Sequence, residues 1–508
     1  MKKILNLLLI GTFFIELSCT YAQKEDYKWL LGYESNFIDS TFGGAVINFN
    51  GKIAKVNYEY RKTDFYKTNA AISDSVGNLL FYTNGCYIAD KTHEPMQNGT
   101  GLSLGNLYNN QCTGSGLGVV LAQGAVVLNA PDSSNIYYLI HQRIVHAPVG
   151  YVYLDSIFYT KIDMNKNNGL GAVVEKNVAI PIPDTIFGGL TAVRHSDGKS
   201  WWIMSATRNL NRYWSILVNS TGVSVVSSQE IGTATQINGA GSGQSNYSPD
   251  GTKYAIYNYK NQVLLFDMDR DIGQLSNFRQ LTIDTPAVGG CIFSPNSRFL
   301  YITANWYIYQ FDTWATDVQA SKQVVAKYDG YKESNYFVAN FWLAQLGPDC
   351  KIYICSTSSV RHLHVINHPD RAGLACDVQQ HSFALPTWNS ASLPNFPNYR
   401  LGTTPTYPCD SMITATTIPW IAGNNYVLNL YPNPTTDLLH IAYHTENTTA
   451  LTVAISDYTG KKIQTLSLDS ASGSLDINTS ALPNGLYLCT LYDSATHRQQ
   501  SVKFVVMR

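Results

Sequence analysis

A polar turn followed at once by a run of β-branched and aromatic residues occurs six times along the chain. Asp74-Ser75-Val76-Gly77-Asn78 precedes Leu79-Leu80-Phe81-Tyr82, Pro131 to Asn135 precedes Ile136-Tyr137-Tyr138-Leu139, and Ser196 to Lys199 precedes Trp201-Trp202-Ile203-Met204. Ser248-Pro249-Asp250-Gly251 precedes Tyr254-Ala255-Ile256-Tyr257, Ser294-Pro295-Asn296-Ser297 precedes Phe299-Leu300-Tyr301-Ile302, and Gly347-Pro348-Asp349-Cys350 precedes Ile352-Tyr353-Ile354. Proline presets the φ of such a turn, Asp or Asn bonds back to nearby amides, and Gly takes the positive φ. From one Asp or Asn turn residue to the next the steps are 58, 65, 53, 46 and 53 residues. Most units add a second short strand ending in Asp90, Asp163, Asp267, Asp312 or Asn367. No helical periodicity interrupts the pattern, so the chain is read as all-β.

Repeats of this length made only of strands predict β-propeller blades. The segments Tyr27 to Asn48 and Asn398 to Leu401 are also strand-like. Sharing one further blade, they would close the ring by pairing its two ends. Seven blades over residues 24–402 are therefore expected, with six and eight as alternatives. A linker rich in Thr, Pro and Gly is expected over 403–425. Residues 426–508 then show seven short alternating runs, from Val427–Leu430 to Ser501–Met507, with turns at Asp457 to Gly460 and Pro483 to Gly485. These predict a small immunoglobulin-like sandwich.

The N-terminus has its own signature. Lys2 and Lys3 precede an apolar stretch from Ile4 to Ile15, and Thr20-Tyr21-Ala22 places small residues where a signal peptidase reads them. Residues 1–22 are read as a Sec signal peptide cleaved between Ala22 and Gln23. The apolar stretch is shorter than the roughly 20 residues of a membrane helix, and no later segment is long enough, so no membrane span is expected. Glu16 stands three before Cys19, where a lipobox needs an aliphatic residue, which argues against lipidation.

Export permits disulfides among the eight cysteines after Cys19. Cys86 with Cys112 is a plausible local bridge. Cys350 and Cys355 lie an odd number of residues apart on one expected strand, face opposite ways and should not pair. A buried unpaired thiol is the alternative for each cysteine. The whole chain holds 35 Lys+Arg against 36 Asp+Glu among 508 residues. With so little charge of either sign, no nucleic-acid partner is expected.

The motifs that could carry chemistry are sparse. His362 and His364, two apart, would share a strand face near His368 and could take a transition metal. No carboxylate or third His is fixed nearby in sequence, so no metal site is expected there. Ser196 to Trp201 is similar to the Asp-box turn of sialidase propellers, but Asp197 and Gly198 are adjacent where that box has a residue between them. The Gly-rich stretch Asn238 to Gly243 lacks the helix and Lys-Ser/Thr of a phosphate loop. Gly114-Ser115-Gly116 and Gly241-Ser242-Gly243 lack the strand-to-helix turn of a hydrolase nucleophile. Trp201, Trp202, Trp214, Trp306 and Trp342 could stack on sugar rings or pack between blades. No cofactor is called for, and no catalytic or ligand-binding residue is singled out.

Two resemblances add to this reading. The Ser-Pro-Asp-Gly turns resemble WD40-like (PD40) propeller repeats. With Asn78 to Gly85, Pro95 to Leu102, Leu363 to Pro369 and Leu393-Pro394-Asn395-Phe396-Pro397-Asn398-Tyr399-Arg400-Leu401-Gly402, they look like signatures of uncharacterised secreted propellers of Bacteroidetes. The tail resembles the type A C-terminal sorting domain of type IX secretion substrates. The match runs through Leu430-Tyr431-Pro432-Asn433-Pro434, Asp457 to Lys462 with Gly460, Leu482-Pro483-Asn484-Gly485-Leu486-Tyr487 and Lys503-Phe504-Val505-Val506. This resemblance implies passage through the periplasm, recognition by the type IX machinery, removal of the tail by its sortase-like protease, and release or attachment at the outer surface. The expected role is a binding or interaction module for an extracellular glycan or protein, acting through the propeller's central face. A hydrolase or lyase acting on extracellular polysaccharide or glycoconjugate is the alternative, because propellers host both.

Overall fold

The computed structural model describes residues 23–33, 42–51, 53–113, 117–146, 152–234, 243–403, 427–431, 433–444, 451–457, 461–493 and 498–507. The signal peptide up to Ala22, the linker from residue 404, Pro432, Gly460 and the Gly-Ser-Gly stretches except Gly243 lie outside the described residues. The chain divides into two compact units, Met1–Ile413 and Thr414–Arg508.

The first unit is a β-propeller whose described residues form seven blades. Blade 1 has three strands, Lys28–Leu31, Gly44–Asn48 and Lys55–Glu59. Blades 2 to 7 have four each and begin with Ala70–Ser73, Ala125–Asn129, Val193–Arg194, Gly243–Tyr247, Gly289–Phe293 and Ala344–Leu346. Within each blade the strands follow chain order and neighbours run antiparallel. The outer strands of blades 2 and 3 also touch through one parallel pair, Ala172 with Gln97.

Each of the six sequence turns joins the first strand of a blade to its second, and side chains build it. At blade 5, Ser248 Oγ donates to Asp250 Oδ1 at 2.5 Å, Asp250 Oδ1 accepts the Thr252 amide at 3.0 Å, and Gly251 has φ +74°. At blade 6, Ser294 Oγ, Asn296 Oδ1 and the Arg298 amide repeat the arrangement, and Ser297 has φ +64°. The acidic end of the third strand reaches back to the base that opens the second: Lys253 pairs with Asp267 at 3.1 Å, and Arg298 with Asp312 at 2.6 Å. Lys351 and Asn367 meet likewise at 2.9 Å in blade 7. The Asp-box-like turn is structural in the same way, with Asp197 Oδ1 accepting the Lys199 and Ser200 amides.

The second strands are apolar on both faces because each blade is packed between two others. In blade 4, Trp201 and Ile203 enter the core shared with blade 3, while Trp202 and Met204 enter the core shared with blade 5. In blade 5, Tyr254 and Ile256 face blade 4, while Ala255 and Tyr257 face blade 6. Period-two alternation thus feeds two cores from one strand.

Ring closure departs from the expectation. Asn398 to Leu401 forms no strand, and the two ends share no blade. Pro394 and Pro397 lack the amide donors of a ladder, so residues 390–401 run as a buried strap beside blade 1 and along the axis. Side-chain amides replace the ladder. Asn395 Nδ2 donates to Ala125 O at 2.8 Å and Leu190 O at 2.7 Å, and Asn395 Oδ1 accepts Gln123 Nε2 at 3.2 Å. Tyr399 Oη donates to Val127 O at 2.7 Å, and Asn398 Nδ2 to Pro249 O at 2.8 Å. Blade 7 then seals against blade 1 through Trp29 on Tyr353 and Asn389 Oδ1 on the Gly32 amide.

Cys86 and Cys112 form a disulfide, with Cα atoms 5.4 Å apart. It pins the helical turn Tyr108–Cys112, which lies between blades 2 and 3. Chain entropy predicts that Cys112→Ser lowers unfolding stability by about 3 kcal/mol; urea melts of oxidised wild type and variant measure this. Cys350 is disulfide-bonded to a partner outside the described residues, whereas Cys355 is a buried free thiol.

The second unit is a two-sheet sandwich. One sheet holds Val427–Tyr431, Leu438–His444 and Ser472–Asn478; the other holds Lys462–Leu468, Leu451–Asp457, Gly485–Asp493 and Arg498–Val506. All seven expected strands are present. Leu439, Ile441 and Ile477 meet Val453, Ile455, Cys489 and Phe504 between the sheets.

Candidate ligand-binding face

The axis of the propeller is filled rather than open. The strap fills the axis together with side-chain amides at the start of the blades. Gln123 exchanges two hydrogen bonds with the Ser245 backbone, at 2.9 and 2.8 Å. Gln244 donates to Ala344 O at 2.7 Å and accepts the Cys291 amide at 3.2 Å. Gly290 lets Gln244 pass so closely that a Cβ there would sit 2.2 Å from its Oε1. A cavity of about 50 Å³ remains near Thr191, Asn246, Gln345 and Phe396, which is water-sized rather than ligand-sized.

The five tryptophans separate by environment. Trp201, Trp202 and Trp342 are buried between blades, and Trp214 is half-buried with Nε1 donating to Asp184 at 2.9 Å. Trp306 stands 41% exposed in the turn between the second and third strands of blade 6. Beside it the connection from blade 6 to blade 7 carries a small hairpin of its own, Lys332–Glu333 paired with Phe337–Val338.

A continuous ridge of rings and charges runs along this connection. Trp306 packs on Tyr328, centroids 5.3 Å apart; the Tyr328 hydroxyl donates to Tyr331 O; and Tyr331 stacks on His381 at 4.3 Å. Arg361 lies 5.2 Å from the centroid of Trp388, which packs on Phe337 at 5.5 Å. Tyr336, at the hairpin tip, is 84% exposed. Glu333, 5% exposed, holds the centre by accepting from Arg361 N and Nε at 2.6 and 2.8 Å and contacting His362 Nδ1 at 3.3 Å. Burial pushes the Glu333 carboxyl up, but its bonds to Arg361 outweigh that and hold it below the usual range.

The His cluster is thereby placed. His362 joins Glu333; His364 is buried, its Nε2 3.2 Å from Asn340 O, with burial lowering its pKa to about 4; His368 is exposed in the turn after that strand. Among the described residues no three His, Cys, Asp or Glu side chains converge to hold a metal ion. Carboxyls raised by burial lie elsewhere. Asp370, raised to about 6, accepts the Asn296 amide, and Asp349, also raised, accepts the Tyr353 hydroxyl at 2.7 Å. Both belong to turns at the opposite ends of the strands from the ridge. Tyr336, Phe337 and Trp388 were missed in the sequence because they fall outside the repeat; a Ser-Asn-Tyr-Phe turn between blades was the available signal.

In the tail the motif residues tie the sandwich together. Asn433 Nδ2 donates to Lys503 O at 3.1 Å and its Oδ1 accepts the Val505 amide at 2.8 Å. Tyr487 Oη donates to Pro483 O at 2.8 Å, and its ring stacks on Phe504.

Residues 429–507 match the secretion system C-terminal sorting domain. The protein is one exported by the type IX route to the cell surface or the extracellular space, and no helix of the described residues is long and apolar enough to cross a membrane. No curated protein matches the chain. Among solved structures, a functionally unknown protein from Desulfotomaculum acetoxidans is 14% identical, with coverage of 73% of this chain and 99% of that one and a TM-score of 0.40. The Cps50 (Swd1) β-propeller domain of Myceliophteria thermophila is 10% identical over 66% and 91%, TM-score 0.37. A putative 6-phosphogluconolactonase from Bacteroides uniformis is 12% identical over 90% and 100%, TM-score 0.34. The strand order itself, rather than these distant likenesses, establishes the propeller.

Proposed function

We propose that this exported propeller is a binding module for an extracellular glycan, taken up on the rim at blades 6 and 7. Two observations carry this reading together: the axis is filled, and the exposed rings of Trp306, Tyr336 and Phe337 gather along one inter-blade connection. Aromatic faces accept the C–H face of a sugar, and the ion-paired Arg361 and Glu333 back Trp388, on which Phe337 packs. Glu333 suits that structural role better than general acid catalysis, since it is kept ionised. Hydrolysis by two carboxyl groups needs a pair at a defined separation around a substrate, and Asp349 and Asp370 are occupied within turns. Sorting motif residues Tyr431, Pro432, Asn433, Pro434, Gly460, Pro483, Asn484, Gly485 and Tyr487 serve delivery, by shaping the module that the type IX machinery and its sortase-like protease recognise.

The test incubates the mature full-length protein with bacterial, plant and host polysaccharides, scoring retention and new chain ends together. Retention without cleavage is expected, and Trp306→Ala with Tyr336→Ala should weaken it about tenfold, equivalent to about 1.4 kcal/mol. New chain ends would overturn the binding reading in favour of a hydrolase or lyase.

A further inference from the structure

Nine cysteines stand in the sequence, and cleavage before Gln23 removes Cys19, which leaves eight. Cys86 and Cys112 pair with each other, and Cys291, Cys355, Cys376 and Cys489 are buried free thiols. Cys350 is disulfide-bonded, and none of those six is its partner. The eighth is Cys409, which belongs to the same compact unit, Met1–Ile413. The course of the strap agrees with this pairing. Cys350 lies in the turn between the first two strands of blade 7, its amide bonded to Gly347 O at 2.9 Å. Leu346, at the start of that turn, lines the same small cavity as Asn398 and Arg400 of the strap. Past Arg400 the chain stays at this end of the blades: Gly402 O accepts Arg270 Nη2 at 2.6 Å, and Thr403 lies against Gly198 in the matching turn of blade 4. Cys409 follows Thr403 by six residues, a reach of up to about 20 Å.

We infer that Cys409 is the disulfide partner of Cys350, so that the chain leaving the strap is tied covalently to the first turn of blade 7. The two thiols give up two protons and two electrons. The acceptor is the disulfide of a periplasmic thiol oxidase, which leaves as its dithiol; an oxidising compartment on the export route supplies it. The bond encloses the last three strands of blade 7 and the whole strap within one covalent ring, and it gives the strap a hold besides the pairing of Arg400 with Asp26. It also bears on delivery, and this part rests on the reading that the tail is removed after export. A cut between Thr403 and Cys409 would leave the tail joined to the propeller through sulfur. Only a cut after Cys409 frees the cargo from its address.

The test alkylates the mature full-length protein with N-ethylmaleimide under denaturing, non-reducing conditions, digests it with trypsin and reads the peptides by mass spectrometry. Peptide Glu333–Lys351 should be found joined to the peptide that begins at Leu401, and reduction should part the two. Maleimide on Cys350, or Cys350 joined to any other cysteine, overturns the inference. Cys350→Ser and Cys409→Ser should each lower the melting temperature by about 5 °C. The double variant should fall no further than either, because all three lose the same bond; additive losses would overturn the pairing. The wild-type peptide map stands even where a variant fails to fold. Protein recovered from the medium tests the cut separately. Its C-terminus is expected after residue 409, and a C-terminus before 409 overturns the limit on the cut. A tail still attached to protein in the medium overturns the tail-removal reading alone, and the joined peptides then leave the bond standing.

Discussion

Deleting residues 427–508 should leave a folded propeller in the periplasm and none outside the cell. The tail is a unit with its own core, which begins at Leu428 and contains Ile441, Val453, Cys489 and Phe504. The propeller's cores run no further than Leu401. Its last described tie is Arg270 Nη2 to Gly402 O at 2.6 Å. Truncation therefore removes the address while sparing the cargo's packing, and the expected loss of export is complete rather than graded. Immunoblots of periplasm, outer membrane and medium measure it, with the circular dichroism melt of the truncated protein as the folding control. A subtler variant separates address from mass: Tyr487→Ala removes the stack on Phe504 and the bond to Pro483 O. It should lower export in proportion to the fraction of sandwich unfolded. Truncated protein in the medium would show that another part of the chain directs export.

The turns and the tail were legible because their chemistry is local. Asp250, Gly251 and Ser248 build a turn from groups within five residues of one another, and the same holds for Asn296 and Asp197. The sandwich strands were legible because one face is buried and one is wet, as the alternating burial of Leu451, Val453 and Ile455 shows. The strap was visible as a motif and misread as a strand. Its asparagines and tyrosine take partners from blades 3, 4 and 5, and such partners are separated by up to 272 residues. Only the prolines at 394 and 397 argued against a ladder. The ridge was illegible for a different reason: Trp306, Trp388 and Tyr336 come from a turn, an outer strand and an inter-blade hairpin, so no sequence window contains them.

Arg400→Ala should have the largest effect of any single substitution on the propeller's stability. Arg400 ends the strap, and its two Nη atoms each meet an Asp26 oxygen at 2.7 Å in a paired geometry, with side-chain exposures of 15% and 5%. Burial alone would push the guanidinium pKa down; the Asp26 carboxylate beside it reverses that and raises it. Removing the arginine strands Asp26 near Glu25, whose own carboxyl burial already pushes up. Breaking such a pair from one side costs about 3–5 kcal/mol, whereas replacing both partners with apolar groups of similar volume can be neutral. Arg400→Met with Asp26→Leu should therefore recover most of the loss, and a double-mutant cycle in urea isolates the coupling. The strap offers a second readout. Once its lower end is released, the Asn395 amide, held by Asn69 O at 2.9 Å, should exchange with solvent faster in Arg400→Ala than the amides of blade 5. Equal exchange in wild type and variant would mean that Asn395 and Tyr399 hold the axis without the ion pair, and would move the lock from the end of the strap to its middle.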